Sequence, residues 1–100
     1  MSFNQKVWAL CARVPKGHVT TYGEIARALN TQAYRAVGNA LNKNPYAPDV
    51  PCHRVVGSDG SLTGFASGLE HKKKLLRAEG IKITGDRVQV SRVYKLGRHQ

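Results

Sequence analysis

Cys52 is the residue of this sequence best placed to act as a nucleophile, because His53 and Arg54 follow it directly. A histidine can accept the thiol proton and an arginine supplies a positive field, and both favour the thiolate, the reactive form of cysteine. A carboxylate that orients the histidine would complete a cysteine–histidine–acid relay. Six acidic residues are candidates for it: Glu24, Asp49, Asp59, Glu70, Glu79 and Asp86. Periodicity alone does not choose among them.

Metal binding is the competing use of Cys52 and His53. Adjacent residues rarely both reach one tetrahedral zinc ion, and the two cysteines of the chain lack a C-x-x-C spacing, so we expect no metal site. Cys11 lies on the apolar face of a predicted helix and is expected in the core. The other histidines stand among polar or basic residues and are expected at the surface: His18, His71 and His99.

The charge balance favours a polyanionic partner. Sixteen Lys and Arg against six Asp and Glu give a formal net charge of +10 over 100 residues. Such a surplus is most often a nucleic-acid footprint. A membrane surface would need an amphipathic basic helix, and we find no convincing one; the remaining alternative is a solvated basic surface. The length predicts a single domain over residues 1–96, with a frayed tail over 97–100.

The cysteine count and the N-terminus bear on the compartment. Two cysteines do not make a disulfide framework, and residues 1–12 do not resemble a signal peptide. No apolar run approaches transmembrane length, so we expect no membrane association. These observations predict a reducing intracellular setting with free thiols: the cytoplasm and nucleoid of a prokaryote, or the nucleus of a eukaryote.

Hydrophobic spacing predicts the helices that must position these groups. Residues at helical spacing predict a first amphipathic helix: Phe3, Val7, Leu10, Cys11 and Val14. Thr21 and Glu24 have capping-box spacing and predict a short helix that ends at Asn30. Its inward face is predicted to comprise Ile25, Ala26 and Leu29. Thr31 is predicted to cap the next helix, whose apolar stripe would be Ala33, Val37, Ala40 and Leu41. Two short helices with a tight turn predict a helix-turn-helix, whose second helix contacts DNA.

A proline-rich loop is predicted to deliver Cys52. Residues 44–51 contain three prolines and cannot be helical throughout. Residues 57–60 have turn chemistry, so Val55–Val56 and Leu62 are predicted to flank a small hairpin.

The last third of the chain predicts one more helix and a hairpin. Ser67 and Glu70 repeat the capping-box spacing, and a helix over 69–79 should end at Gly80. Four apolar residues around the turn-forming segment 84–87 predict a terminal hairpin: Ile81, Ile83, Val88 and Val90. The predicted fold class is therefore mainly α with a small β component, a winged-helix-like helix-turn-helix DNA-binding domain.

Five segments of the chain resemble, in order and spacing, the motifs of the O6-alkylguanine-DNA alkyltransferases. The segment Pro-Cys-His-Arg-Val around Cys52 is similar to the active-site motif of that family. The other similar segments are 17–26, 35–38, 44–45 and 75–80, which correspond to the entry to the helix-turn-helix, the recognition helix, the asparagine hinge and the closing helix. The resemblance extends from Phe3 to Ile81.

The resemblance implies a role for each matching residue of the site. Cys52 would accept the alkyl group irreversibly from guanine O6. His53 would act as base through a water molecule, with Glu79 orienting it. Asn44 would hold the backbone turn around the site. No cofactor is implied.

The resemblance also implies how DNA would be held. Duplex DNA containing O6-alkylguanine would bind through its minor groove to a monomer. Arg35 would enter the base stack in place of a flipped nucleotide, and Tyr22 would press on the target phosphate. Other residues expected at the DNA are small or lie at the helix start: Thr21, Ala33, Ala36 and Gly38.

A substrate pocket is expected from five residues: Pro51, Val55, Phe65, Ala66 and Ser67. Arg54 is expected to be structural, as an ion-pair partner, and Val55 to be a core or pocket residue. Phe65 stands where the family usually has a tyrosine, so a possible hydrogen bond to the substrate base is absent. Tyr34 replaces a residue that is often small.

Three functions compete on the sequence alone. The first is the suicide alkyltransferase. The second is a non-catalytic damage sensor that recruits other repair factors as its protein partners, since the sequence has no counterpart of the separate N-terminal domain of the family and this short layout is similar to alkyltransferase-like proteins. Those proteins bind alkylated DNA without repairing it, because another residue replaces the cysteine. The third is a winged-helix regulator in which Cys52 is incidental. The presence of Cys52 favours the first.

Overall fold

The computed structural model describes residues 1–46, 49–62, 68–89 and 93–96. These ranges contain four α-helices: α1 (Phe3–Cys11), α2 (Tyr22–Ala28), α3 (Tyr34–Asn42) and α4 (Leu69–Ala78). They also contain four two-residue strands: β1 (Thr20–Thr21), β2 (Val55–Val56), β3 (Ile83–Thr84) and β4 (Arg87–Val88). The predicted class, mainly α with a small β component, is confirmed. Predictions made for Phe65, Ala66, Ser67, Val90, His99 and the 97–100 tail fall outside the described residues.

The core forms where α1, α2 and α3 pack together. Val7, Leu10 and Cys11 of α1 are fully buried, as the helical spacing predicted. The indole Nε1 of Trp8 donates to the carbonyl oxygen of Ala40 at 2.7 Å, which ties α1 to α3. Burial of these apolar side chains is the main stabilising contribution to a domain of this size.

The predicted capping of α2 by Thr21 is confirmed. Its hydroxyl oxygen accepts the backbone N–H of Glu24 at 3.0 Å. The Glu24 carboxylate does not return to the cap; it pairs with Arg27 and accepts the backbone N–H of Leu96 at 3.3 Å. Asn30 follows the end of α2 and takes a left-handed conformation with φ of 57°, which interrupts the helical backbone as predicted.

The predicted start of α3 is wrong by about two residues. The helix begins at Tyr34 with Ala33 as its N-cap residue, and no side chain caps it. Thr31 instead accepts the N–H of Ala33 at 3.2 Å, because the chain needs these residues to turn between the two helices. Ala33 is consequently exposed and outside the apolar stripe, which comprises Val37, Ala40 and Leu41.

The predicted hairpin between Val55–Val56 and Leu62 is also wrong. Strand β2 pairs in parallel with β1, with Thr20 opposite Val55 and Thr21 opposite Val56. The turn at 57–61 does close, since the N–H of Gly57 donates to the carbonyl of Ser61 at 2.9 Å. Leu62 then pairs elsewhere, and its N–H donates to the carbonyl of Asp86 at 2.8 Å.

The predicted terminal hairpin is confirmed, since β3 and β4 pair antiparallel. Helix α4 ends as predicted, with Gly80 in the left-handed region at φ of 86°. The N-cap residue of α4 is Gly68, whose φ of 95° suits glycine, and not the predicted Ser67, which lies outside the described residues. Among the described residues no helix is long and apolar enough to cross a membrane.

Candidate active site

A short 3-10 turn, Cys52–Arg54, presents the cysteine. The preceding loop is held by the side chain of Asn44, whose Nδ2 donates to the carbonyl of Val50 at 2.7 Å. The Oδ1 of the same amide accepts the N–H of Tyr46 at 2.9 Å. The N–H of Cys52 in turn donates to Val50 at 2.9 Å. Asn44 therefore spans the loop and sets the position at which the turn begins.

His53 and Glu79 are in direct contact, 3.0 Å apart between Nε2 and Oε2. The His53 side chain is 3% exposed, so this bond lies away from solvent. Arg54 grips the same carboxylate with two N–H groups, at 2.9 Å to Oε1 and 2.6 Å to Oε2. A third N–H of Arg54 reaches the carbonyl of Val14 at 2.8 Å. Its predicted role as an ion-pair partner is confirmed.

The electrostatics of this pair determine which ring nitrogen can act as a base. Burial, the largest effect, lowers the pKa of His53, although the hydrogen bond and charge of Glu79 oppose it. Burial also acts on Glu79, but hydrogen bonds from Arg54 and His53 outweigh it and leave the pKa of Glu79 below its usual value. An ionised carboxylate only accepts hydrogen bonds, so Nε2 of neutral His53 carries the proton. Nδ1 is then the basic nitrogen.

Lys72 is a residue of the site that sequence reasoning missed. It lies on the inner face of α4, is 1% exposed, and its Nζ donates to the carbonyl of Val55 at 2.7 Å. Burial lowers the pKa of Lys72 to about 8, while the nearby thiols of Cys52 and Cys11 act in the opposite direction. The available signal was its position four residues before buried Leu76, which places a lysine in the apolar stripe of the helix.

The second thiol of the chain is inert by its surroundings. Cys11 is fully buried in α1, as predicted, and burial raises its pKa to about 12. Cys52 is half-buried and packs at the edge of the same core cluster. In the described parts of the chain no three His, Cys, Asp or Glu side chains lie together as metal ligands do.

The residues expected at DNA lie on the helix-turn-helix. Tyr22 begins α2 and is half-buried, while Arg35 is the second residue of α3 and is exposed. Thr21 is buried as the cap of α2. Among the small residues, Ala33 is exposed and Ala36 and Gly38 are half-buried. A Cβ added at Gly38 would meet nothing within 4 Å, so packing inside the protein does not require glycine there.

Two residues of the expected pocket are buried. Pro51 precedes the turn, and Val55 is 0% exposed within the core cluster that also contains Cys11. Val55 thus fits the core alternative of its prediction. The structure brings together Asn44, Cys52, His53 and Glu79. Lys72 joins this group through its hydrogen bond to the carbonyl of Val55.

These features define a class: a helix-turn-helix domain that carries a cysteine beside a buried histidine–glutamate pair. The sequence model of the family described as "6-O-methylguanine DNA methyltransferase, DNA binding domain" matches residues 2–81. The chain belongs to this family.

Curated relatives from several organisms are named methylated-DNA–protein-cysteine methyltransferase. A methylated-DNA–protein-cysteine methyltransferase of Methanosarcina mazei is 54% identical over 77% of this chain and 49% of that protein. One from Haemophilus influenzae is 46% identical over 80% of this chain and 45% of that protein. The chain therefore spans about half the length of the curated relatives that it matches.

Solved structures of two kinds are similar to this fold. Mycobacterium tuberculosis OGT in complex with DNA superposes with a TM-score of 0.76 at 45% identity, covering 79% of this chain and 50% of that one. Schizosaccharomyces pombe Atl1 in complex with damaged DNA containing O6-carboxymethylguanine superposes with a TM-score of 0.80 at 30% identity, covering 93% and 94%. The helix-turn-helix prediction is confirmed by these neighbours.

Lys72 should make stability depend on alkaline pH. Its folded pKa of about 8 lies below the value of 10.5 expected in the unfolded chain, so the unfolded state binds more protons between these values. The free energy of unfolding of the wild type should therefore include a gain that is complete above pH 10.5 and lost as pH falls through 8. Lys72→Met should lack this gain in urea titrations at pH 7, 8, 9 and 10. The control Lys74→Met, at an exposed position of the same helix, should keep it. Parallel pH dependences for the wild type and Lys72→Met would contradict the assignment.

Proposed function

We propose that Cys52 accepts an alkyl group from O6 of guanine in duplex DNA and retains it as a thioether. The observation that carries this proposal is the 3.0 Å contact between buried His53 and Glu79, directly after the cysteine, in a domain of this family. The names of the curated relatives support it.

The proposed transfer is a single displacement. Nδ1 of His53 draws the proton from the Cys52 thiol through a water molecule, with Glu79 holding the ring. The thiolate attacks the alkyl carbon, an S–C bond forms as the C–O6 bond breaks, and the guanine leaving group takes up a proton. The thioether sulfur is a poor leaving group, so each protein molecule acts once.

Lys72 is proposed to favour the thiolate of Cys52. Its ammonium group is buried near both thiols, where an opposite charge is screened less than in water. Cys11 remains protonated because its own burial raises its pKa to about 12. Cys52 is therefore the thiol on which we propose the charge of Lys72 to act.

DNA is proposed to bind a monomer of this domain along its minor groove. The net charge of +10 supplies affinity for phosphates. A glycine in a helix lowers its stability by about 1 kcal/mol relative to alanine. Because no internal contact requires glycine at position 38, a close approach of DNA is a reason for its presence. Exposed Arg35 would fill the gap left by the flipped base, and Tyr22 would press on the phosphate of that nucleotide.

A damage sensor that binds alkylated DNA without transfer is the second candidate. The similarity to Atl1, which covers 94% of that chain, favours it. The presence of Cys52 beside a base favours transfer.

The nucleophile is tested by intact-mass spectrometry after mixing the protein with duplex DNA that contains O6-methylguanine. The wild type should gain one methyl group, which peptide mapping should place on Cys52. Cys52→Ala should gain none and still bind the damaged duplex, while Cys11→Ala should be methylated like the wild type. A wild type that binds this duplex without any gain in mass would establish the sensor, and methylation of Cys52→Ala would refute the nucleophile.

The relay is tested by the pH dependence of the transfer rate. Because burial lowers the pKa of His53, the neutral ring persists at pH 6.5, and the wild-type rate should fall only at more acidic pH. His53→Gln should slow transfer about 10²- to 10⁴-fold at pH 7, in the range of general-base catalysis. The mutant should recover partly as pH approaches about 8.5, where free cysteine ionises. The control His18→Gln, at an exposed histidine, should follow the wild type. Equal rates for His53→Gln and the wild type at pH 7 would exclude the relay.

Arg35 is tested by comparing duplex substrate with the free base. Arg35→Ala should slow transfer from duplex O6-methylguanine far more than transfer from free O6-benzylguanine, which needs no flipping. A fluorescent base analogue at the target site should brighten less than with the wild type. Arg77→Ala, an exposed arginine of α4, is the control and should keep the brightening. If Arg35 only contacts phosphate, its loss should lower the salt dependence by about one ion and leave the analogue signal at saturation unchanged.

A further inference from the structure

Tyr34 is a large exposed side chain that the proposed function does not use. It is the first residue of α3 and directly precedes Arg35, and 54% of its surface is exposed. An isolated exposed tyrosine needs no explanation, but this one lies at the start of the helix proposed to face DNA. The question is what its ring and hydroxyl contact there.

The ring of Tyr34 forms one wall of a cleft of about 320 Å³. Among the described residues, Tyr22, Gly23 and Ser58 also line it. A Cβ at Gly23 would lie 4.0 Å from Cε1 of Tyr34, so the ring lies over the first turn of α2. The described residues therefore give the cleft an aromatic wall, the neutral hydroxyl groups of Tyr22, Tyr34 and Ser58, and a glycine without a side chain.

The parallel pairing of β1 and β2 explains why these walls meet. Thr21 lies opposite Val56, so Tyr22 and Gly23 continue from one strand where Gly57 and Ser58 continue from the other. The 3-10 turn with Cys52 leads directly into the same strand β2. The cleft thus lies between the helix-turn-helix and the segment that carries the nucleophile.

We propose that this cleft holds a phosphate–deoxyribose unit of the DNA strand that carries the alkylated guanine, with Tyr34 as a DNA-positioning residue. The proposal rests on the proposed function, because it requires that strand to run from α3 toward Cys52. Tyrosine and serine hydroxyls are common partners of phosphate and sugar oxygens. The ring of Tyr34 would pack against the apolar face of the sugar.

The charges around the cleft suit a phosphate. None of the described residues that line it is acidic. The acid next to Ser58 is engaged elsewhere, since the Asp59 carboxylate accepts the N–H of Ser61 at 3.0 Å and faces Arg87 at 3.6 Å. A contact made by neutral hydroxyls neutralises no phosphate and releases no counterion, so it adds affinity without adding salt dependence.

The test measures binding of undamaged and O6-methylguanine duplexes by fluorescence anisotropy at several salt concentrations. Tyr34→Ala should weaken both about three- to tenfold, the range of one net hydrogen bond with its packing, at an unchanged salt slope. Tyr34→Phe should lose less, because it keeps the ring, and Ser58→Ala should also weaken binding. Phe3→Ala, an exposed aromatic residue outside the cleft, is the matched control and should bind like the wild type. Thermal unfolding should show that each variant is folded.

Transfer from free O6-benzylguanine separates this proposal from the proposed function. Tyr34→Ala should react with the free base at the wild-type rate, because no DNA strand has to be held. If the wild type gains no methyl group from the O6-methylguanine duplex, the proposed function fails whatever the binding data show. If the wild type reacts and folded Tyr34→Ala binds duplex DNA with wild-type affinity, the DNA-positioning role of Tyr34 is overturned. A lower salt slope for Tyr34→Ala would overturn the neutral contact.

Discussion

The carboxylate of Glu79 is the group on which the arrangement of the site depends. It accepts hydrogen bonds from His53 and Arg54, and Arg54 extends the connection to the carbonyl of Val14 after α1. One acid thus joins the end of α4, the turn that carries Cys52 and the end of the first helix. A carboxylate at the C-cap of a helix is unfavourable toward the helix dipole by about 0.3–1 kcal/mol. The guanidinium of Arg54 offsets that cost, and the same pairing keeps Glu79 ionised, which in turn fixes the tautomer of His53.

The second constraint is the two-residue parallel pairing of β1 with β2. It is too short to contribute much stability by itself, yet it links two functional parts of the chain. The strand that ends at Thr21 leads into the helix-turn-helix, and the strand that begins at Val55 follows the active-site turn. A shift of this register by one residue would turn the side chains of one strand to the opposite face and separate Tyr22 from Ser58. The helix-turn-helix and the turn that carries Cys52 are therefore coupled through backbone hydrogen bonds.

The sequence predicted local features well and long-range pairing poorly. Helical spacing identified α1 and the buried Cys11, and turn chemistry identified the terminal hairpin, because these signals lie within a few residues. Strand β2 was assigned the wrong partner because β1 is over thirty residues away in the sequence. A two-residue strand is also too short to show the alternation of apolar and polar residues that identifies a strand. The choice of Glu79 among six acids came from the family resemblance alone. Lys72 was missed because lysine is rarely buried, so a residue-type argument places it outside the core.

Lys72 also shows that positive charge alone does not distinguish the two thiols of the chain. Its ammonium group acts on the thiols of both Cys11 and Cys52. Cys11 gains nothing from it, because full burial in α1 raises the pKa of that thiol to about 12. Cys52 differs in two respects: its turn leaves it half-buried, and His53 adjoins it with one nitrogen fixed by Glu79. A cysteine is the better candidate nucleophile where a proton acceptor and a positive charge lie beside it, and among the described residues the 3-10 turn gives Cys52 that setting. The position of that turn, set by Asn44 on one side and β2 on the other, is therefore what makes one of two neighbouring thiols chemically distinct.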